Sequence, residues 1–257
     1  MASIKLTTIV VIIGVMMITS CEENNAVKPT SGLSNQSTAG QPGTRILNYT
    51  FDGTEGGAIP MSTATSWTQN YVNQNPQAVQ SHFFGANSMR KILSTSGCMG
   101  IRIYYSLDDS GNKQMVLVGA DINGNDILST AGIKGKTSAT SITSTNTMSA
   151  VSSADGDAIT TQTSKQWIAN YGAKYPTSLV AHFFGHEILN QILGENDCIG
   201  IRMYYALNNS GVQQILLVGV NSKGQNILPS QINGKETDGG GSVGDMSYPC
   251  PSYCPNT

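Results

Sequence analysis

Charge is scarce in this 257-residue sequence: Asp, Glu, Lys and Arg together make up 12%. With 14 basic and 16 acidic side chains and a formal net charge of −2, it offers no basic stripe to a nucleic-acid backbone. Arg90-Lys91 is the single adjacent basic pair, which also excludes a polybasic face for an anionic membrane surface. Three histidines and five cysteines are few, and they do not fall into the paired spacings of a zinc site. No apolar run reaches the roughly 20 residues that a spanning helix needs. The surface must instead be solvated by neutral Ser, Thr, Asn and Gly, as is common in exported proteins.

The longest apolar run, Leu6 to Ile18, follows a single basic residue, Lys5, and stops just before Cys21. That is the layout of an export signal. Ile18-Thr19-Ser20-Cys21 resembles a bacterial lipobox, which implies cleavage before Cys21, diacylglycerol on its thiol and an acyl chain on its amine. Several acyl chains, each adding roughly 0.8 kcal/mol per buried methylene, anchor a protein without a spanning helix. Glu22-Glu23 after that cysteine is similar to the surface-export signal of Bacteroidota lipoproteins, implying the outer membrane and favouring its outer face. Removing the signal takes Lys5 and leaves 13 basic side chains against 16 acidic ones.

What the sequence does have is an internal repeat. Residues 56–130 align with 156–230 without a gap, and 30 of the 75 positions are identical. The expected organisation is a signal at 1–20, an acylated cysteine and tether at 21–55, a module at 56–133, a Ser/Thr-rich mobile linker at 134–155, a second module at 156–234, and a Gly-rich, Cys/Pro tail at 235–257. Within each run the first half reads as helix: Trp67 and Tyr71, like Trp167 and Tyr171, are spaced i, i+4. Pro76 and Pro176 then open a second helix carrying Val79 and Phe83, or Leu179 and Phe183, which Gly85 and Gly185 end in the left-handed region. A short helix follows, through Met89, Ile92 and Leu93 or through Ile188, Leu189, Ile192 and Leu193. The period then becomes 2. Ile101, Ile103, Tyr105 and Leu107 share one strand face, Gly100, Arg102, Tyr104 and Ser106 the other, and Gln114 to Ala120 returns as a second strand.

The expected fold class is therefore α+β: two tandem copies of a small module, two or three short helices followed by an antiparallel β-hairpin. The copies either pack as a pseudo-twofold pair, the hairpins joining edge to edge as four strands, or sit apart on a string. A lone hairpin is marginal, so closure would help. Arg45 to Phe51 also alternates and offers an edge strand to the first copy.

Three reactive residues recur: His82 and His182, Cys98 and Cys198, Arg102 and Arg202. A thiol beside an imidazole is the chemistry of a cysteine nucleophile, but no oxyanion turn surrounds either cysteine, and only Asn70 and Asn170 recur as candidate orienters. Cysteine at the head of an apolar strand is more often a small buried hydrophobe. A site shared by both His and both Cys would supply four metal ligands, and Cys98 with Cys198, or Cys250 with Cys254, are candidate disulfides. Arg102 and Tyr104, with Arg202 and Tyr204, form the best candidate binding face, because Gly100 and Gly200 leave room above the strand and Arg with Tyr anchors interfaces. The competing reading buries Arg102 against a carbonyl or Asn70.

His-Phe-Phe-Gly and Cys-x-Gly-Ile-Arg-x-Tyr-Tyr, followed by Leu-Val-Gly, are similar to segments of uncharacterised Bacteroidota outer-membrane lipoproteins. The resemblance covers both runs and implies a location rather than a mechanism. The expected function is a lipid-anchored, non-enzymatic binding or assembly module without a cofactor or metal, its partner another envelope protein or a surface ligand and not nucleic acid. The alternatives are a thiol enzyme using Cys98/His82 and Cys198/His182, and a structural envelope protein.

Overall fold

A computed structural model describes residues 49–127, 132–144, 151–232, 235–237, 241–250 and 252–253. Cys21 and Cys254 lie outside them, as do residues 45–48 of the expected edge strand. The elements run β1 (Gly57–Ala58), α1 (Met61–Gln74), β2 (Ser81–Gly85), α2 (Ala86–Leu93), β3 (Gly100–Leu107), β4 (Lys113–Ala120), β5 (Gly132–Lys134), β6 (Lys136–Ser138) and β7 (Asp157–Ile159). They continue with α3 (Thr161–Lys174), β8 (Ala181–Gly185), α4 (His186–Leu193), β9 (Cys198–Leu207), β10 (Gln213–Asn221), β11 (Ser230–Ile232), β12 (Lys235–Thr237), β13 (Val243–Asp245) and β14 (Tyr248–Cys250). The class is α+β. Two six-stranded antiparallel sheets carry the fold, in the orders β1-β13-β10-β9-β2-β6 and β14-β8-β3-β4-β5-β7, and β11-β12 form a separate ribbon.

The hairpins form as the alternation predicts, but they do not join edge to edge. Each hairpin's free edge is taken by the His-Phe-Phe-Gly segment of the other run: β2 pairs with β9, with Phe84 opposite Ile201, and β8 pairs with β3, with Phe184 opposite Ile101. The predicted helix through Val79 and Phe83 is thus a strand. The i, i+4 spacing misleads here because a short apolar run fits a strand buried on both faces equally well. Every residue of β2 and β8 is buried, Phe83 and Phe84 to 0% exposure, which one face of a surface helix cannot achieve. Gly85 and Gly185 do not end a helix in the left-handed region either; they are extended, with φ −69 and −65, and lead into α2 and α4. A Cβ at Gly85 would meet the backbone of Ser153, and one at Gly185 the backbone of Gly53. Close passage of another segment is what requires glycine there.

The two sheets face each other. Ile101, Ile103, Tyr105 and Leu107 of β3 share one apolar cluster with Ile201, Met203, Tyr205 and Leu207 of β9, closed by Met89 and Ile92 of α2 and by Leu189 and Ile192 of α4. Each such side chain contributes roughly 2–3 kcal/mol by leaving water. On the outer faces, Met61 and Ala64 of α1 cover Tyr204, Leu216 and Val218, and Trp167 and Ile168 of α3 cover Tyr104, Val116 and Val118. Helix α1 buries Met61, Ala64, Thr68 and Tyr71, a 3-4-3 stripe. Asn70 Nδ2 donates to the Leu207 carbonyl at 3.1 Å and Asn170 Nδ2 to that of Leu107 at 3.3 Å, so each helix is pinned to the other run's strand.

The stretch expected as a linker supplies structure of its own. Lys136–Ser138 extends the first sheet beyond β2, and residues 145–150 lie outside the described residues. The described end of the predicted 45–51 strand is not a strand; Phe51 instead donates its N–H to Ile122 at 2.9 Å and packs on Phe183.

Candidate functional site

The retained arginines are not a binding face. Arg102 and Arg202 are both 0% exposed, and Tyr104 and Tyr204 only 8% and 1%. The room expected above Gly100 is filled: a Cβ there would stand 2.6 Å from the Phe183 ring, and one at Gly200 2.6 Å from that of Phe83. Exchange of the His-Phe-Phe-Gly strands brings those rings in, which no reading of one run alone could supply. Arg102 forms an ion pair with Asp126 and donates to the Gly124 carbonyl at 2.9 Å, while Tyr104 donates to Asp126 at 2.7 Å. Burial, with the Asp126 charge, pushes the Tyr104 hydroxyl well above its ordinary range. In the second run the carboxylate is replaced by Asn226, which accepts from Arg202 and donates to Tyr204 at 2.8 Å. The carbonyl of the buried reading is there, at Gly124 and Gly224, and the side-chain partner is residue 126 or 226 rather than Asn70.

The thiols and imidazoles have separate partners. Cys98 Sγ donates to the Gly100 carbonyl at 3.2 Å and Cys198 Sγ to that of Gly200 at 3.3 Å. Burial raises both thiols above their ordinary pKa, the opposite of what activates a nucleophile. Both are free, so no bridge joins Cys98 to Cys198. Cys250 is disulfide-bonded, and its expected partner Cys254 lies outside the described residues. Among the described residues no three His, Cys, Asp or Glu side chains converge as metal ligands.

The two histidines differ in their neighbours. Both are buried, at 0% and 1% exposure, and burial pushes both down to about 3. His82 Nε2 meets the Tyr205 hydroxyl at 3.1 Å, and its ring also faces the Gly135 backbone. His182 Nδ1 meets Ser247 Oγ at 2.8 Å, and Ser247 in turn reaches Asp245 at 3.4 Å. Ser247 belongs to the crossing that carries the chain from β13 in one sheet to β14 in the other. The corresponding crossing, β5 to β6, is one residue shorter. Lys134 pairs opposite Asp157 as Asp245 pairs opposite Gly57, and Lys136 pairs opposite Phe83 as Tyr248 pairs opposite Phe183. Between them stands Gly135 alone on one side, Met246 and Ser247 on the other.

Where the crossing is short, a cavity of about 390 Å³ opens, lined by Gln114, Lys134, Gly135, Lys136, Asp155 and Asp157 among others. Gly135 separates it from the interior: a Cβ at that position would lie 2.9 Å from His82 Cβ and 2.7 Å from the Phe84 ring. Lys134 meets Asp157 at 3.4 Å and Lys136 meets Asp155 at 3.7 Å. Where the crossing is long, Met246 takes a positive φ of 57 and Asp245 is 2% exposed. Sequence reading gave none of the cavity's residues a functional role, because Lys134, Gly135, Lys136 and Asp155 fall in a stretch whose composition resembles a linker. The signal was the shorter spacing between flanking strands, visible only once the strands are paired.

Comparison with protein-family models, with curated proteins and with solved structures gave no match for this chain.

Proposed function

We propose that the chain is a lipid-anchored outer-membrane lipoprotein that binds a small ligand in the cavity at the β5–β6 crossing, and that it arose by duplication of one module. The single observation carrying the binding reading is the cavity of about 390 Å³ at the shorter crossing, where Gly135 alone stands in the place of Met246 and Ser247. The duplication reading rests on the repeat and on matched strand pairings, with each run completing the other's sheet about a pseudo-twofold axis. The paired Arg, His and Cys residues serve the fold in this reading, and their burial supports binding over thiol catalysis. Anchoring through Cys21 rests on the lipobox-like segment.

Two measurements test it. Radiolabelled palmitate should enter the wild-type protein in cells and not the Cys21→Ala variant; equal labelling removes the anchor. Native mass spectrometry of protein released from envelopes should show a small adduct that is lost when Gly135 is replaced by Met-Ser, giving the short crossing the length of the long one. An adduct unaffected by that replacement removes the cavity as the site.

A further inference from the structure

The side chains around this cavity restrict what it accepts, and we infer that it takes a small zwitterion of dipeptide size, carboxylate toward Lys134 and Lys136 and ammonium toward Asp155 and Asp157. The inference rests on the binding reading above and adds the chemistry of the occupant. A volume of about 390 Å³ lies within the range of small-molecule sites. No aromatic ring is among its lining residues, so the stacking platform that a sugar or a base prefers is missing. An anion such as phosphate would meet the two lysines but also two carboxylates, and a simple cation the reverse. A ligand carrying both charges satisfies both.

The resident ion pairs are suited to exchange. At 3.4 and 3.7 Å they are long, with the Lys134 and Asp157 side chains 37% and 79% exposed and those of Lys136 and Asp155 43% and 25%. Exposed pairs of this kind contribute little stability, so opening them toward a ligand costs little. Asp155 keeps the Ser152 N–H, accepted at 2.9 Å, as its ion pair opens. At the longer crossing the same positions hold Asp245 and Tyr248 opposite Gly57 and Phe183, with no lysine among them, so the pair of lysines belongs to the shorter crossing alone.

Titration calorimetry with L-alanyl-L-alanine tests this, using the N-acetylated and the C-amidated dipeptides as single-charge controls. The free dipeptide should bind, and each blocked form should bind at least about tenfold more weakly, the loss of one charge-assisted contact. Lys134→Ser/Lys136→Ser, which leaves the strands intact, should bring the free dipeptide down to the level of its amidated form. Equal binding of free and blocked dipeptides, or of wild type and the double variant, overturns the zwitterion. If no dipeptide binds while the envelope adduct is still lost on lengthening the crossing, in a variant that unfolds at the wild-type temperature, the ligand class is overturned and the cavity remains the binding site.

Discussion

At the scale of single residues, the buried polar groups set how the protein responds to pH. Burial raises the Asp245 carboxyl from its ordinary 3.8 to about 7, so the folded state holds its proton more tightly than the unfolded chain. Stability from this group is complete below about pH 4 and lost as pH rises through about 7. The histidines act in the opposite sense: lowered from 6.5 to about 3, they take up protons first in the unfolded chain, and stability is lost as pH falls below about 6.5. In urea titrations Asp245→Asn should gain on wild type as pH is raised from about 4 to about 8 and leave the acid limb unchanged; a constant difference across that range would refute the assignment. The arginines offer a second comparison. Arg102→Met strands the Asp126 carboxylate and should cost about 3–5 kcal/mol, whereas Arg202→Met leaves only neutral Asn226 and should cost clearly less by the same titration. Sequence reading identified Arg102 and Arg202 as the retained pair to explain. Their partners at 126 and 226 were not legible, because the match between those positions is Asp against Asn, and identity was the signal followed.

At the scale of elements, alternation located β3, β4, β9 and β10, and apolar spacing located α1 through α4. It failed at His-Phe-Phe-Gly. Four residues buried on both faces have no period to read, and what makes them a strand is an edge supplied from a hundred positions away. The same exchange explains Gly100 and Gly200, each crossed by a phenylalanine ring from the other run. Gly100→Ala should therefore destabilise by about 1–3 kcal/mol through overpacking against Phe183 and the Phe184 backbone, whereas Ala at Gly172, which has nothing within 4 Å, should not destabilise. Thermal denaturation separates the two. The short crossing escaped sequence reading for a related reason: a Ser/Thr/Gly-rich passage reads as a tether until its three-residue strands are seen against β2 and β4.

At the scale of the molecule, neither sheet belongs to one run. The first contains β1, β2 and β6 from residues before 145 together with β9, β10 and β13 from residues after 150, and the second is mixed in the same way. A protease site inserted within 145–150 should, once cut, leave two fragments that co-elute on gel filtration in native buffer and separate only in denaturant. Fragments that separate natively would show that the interface between runs contributes less than the pairings imply. The likeness of residues 56–130 to 156–230 was plain from the sequence; that these runs exchange strands was not, because identity between aligned positions says what each contains and nothing about which partner it meets.

The exchange also orders events in time. A ribosome delivers β2 long before β9, so Phe83 and Phe84 can meet β6 early but lack the β9 edge until the chain has grown past residue 200. The pairings that join the runs, β2 to β9 and β3 to β8, are long-range in sequence, which slows folding and lengthens the interval in which apolar strand is uncovered. A chain stopped at residue 144 would hold half of each sheet and complete neither. Dependence on a holding chaperone during synthesis should accordingly fall sharply once the second hairpin has emerged.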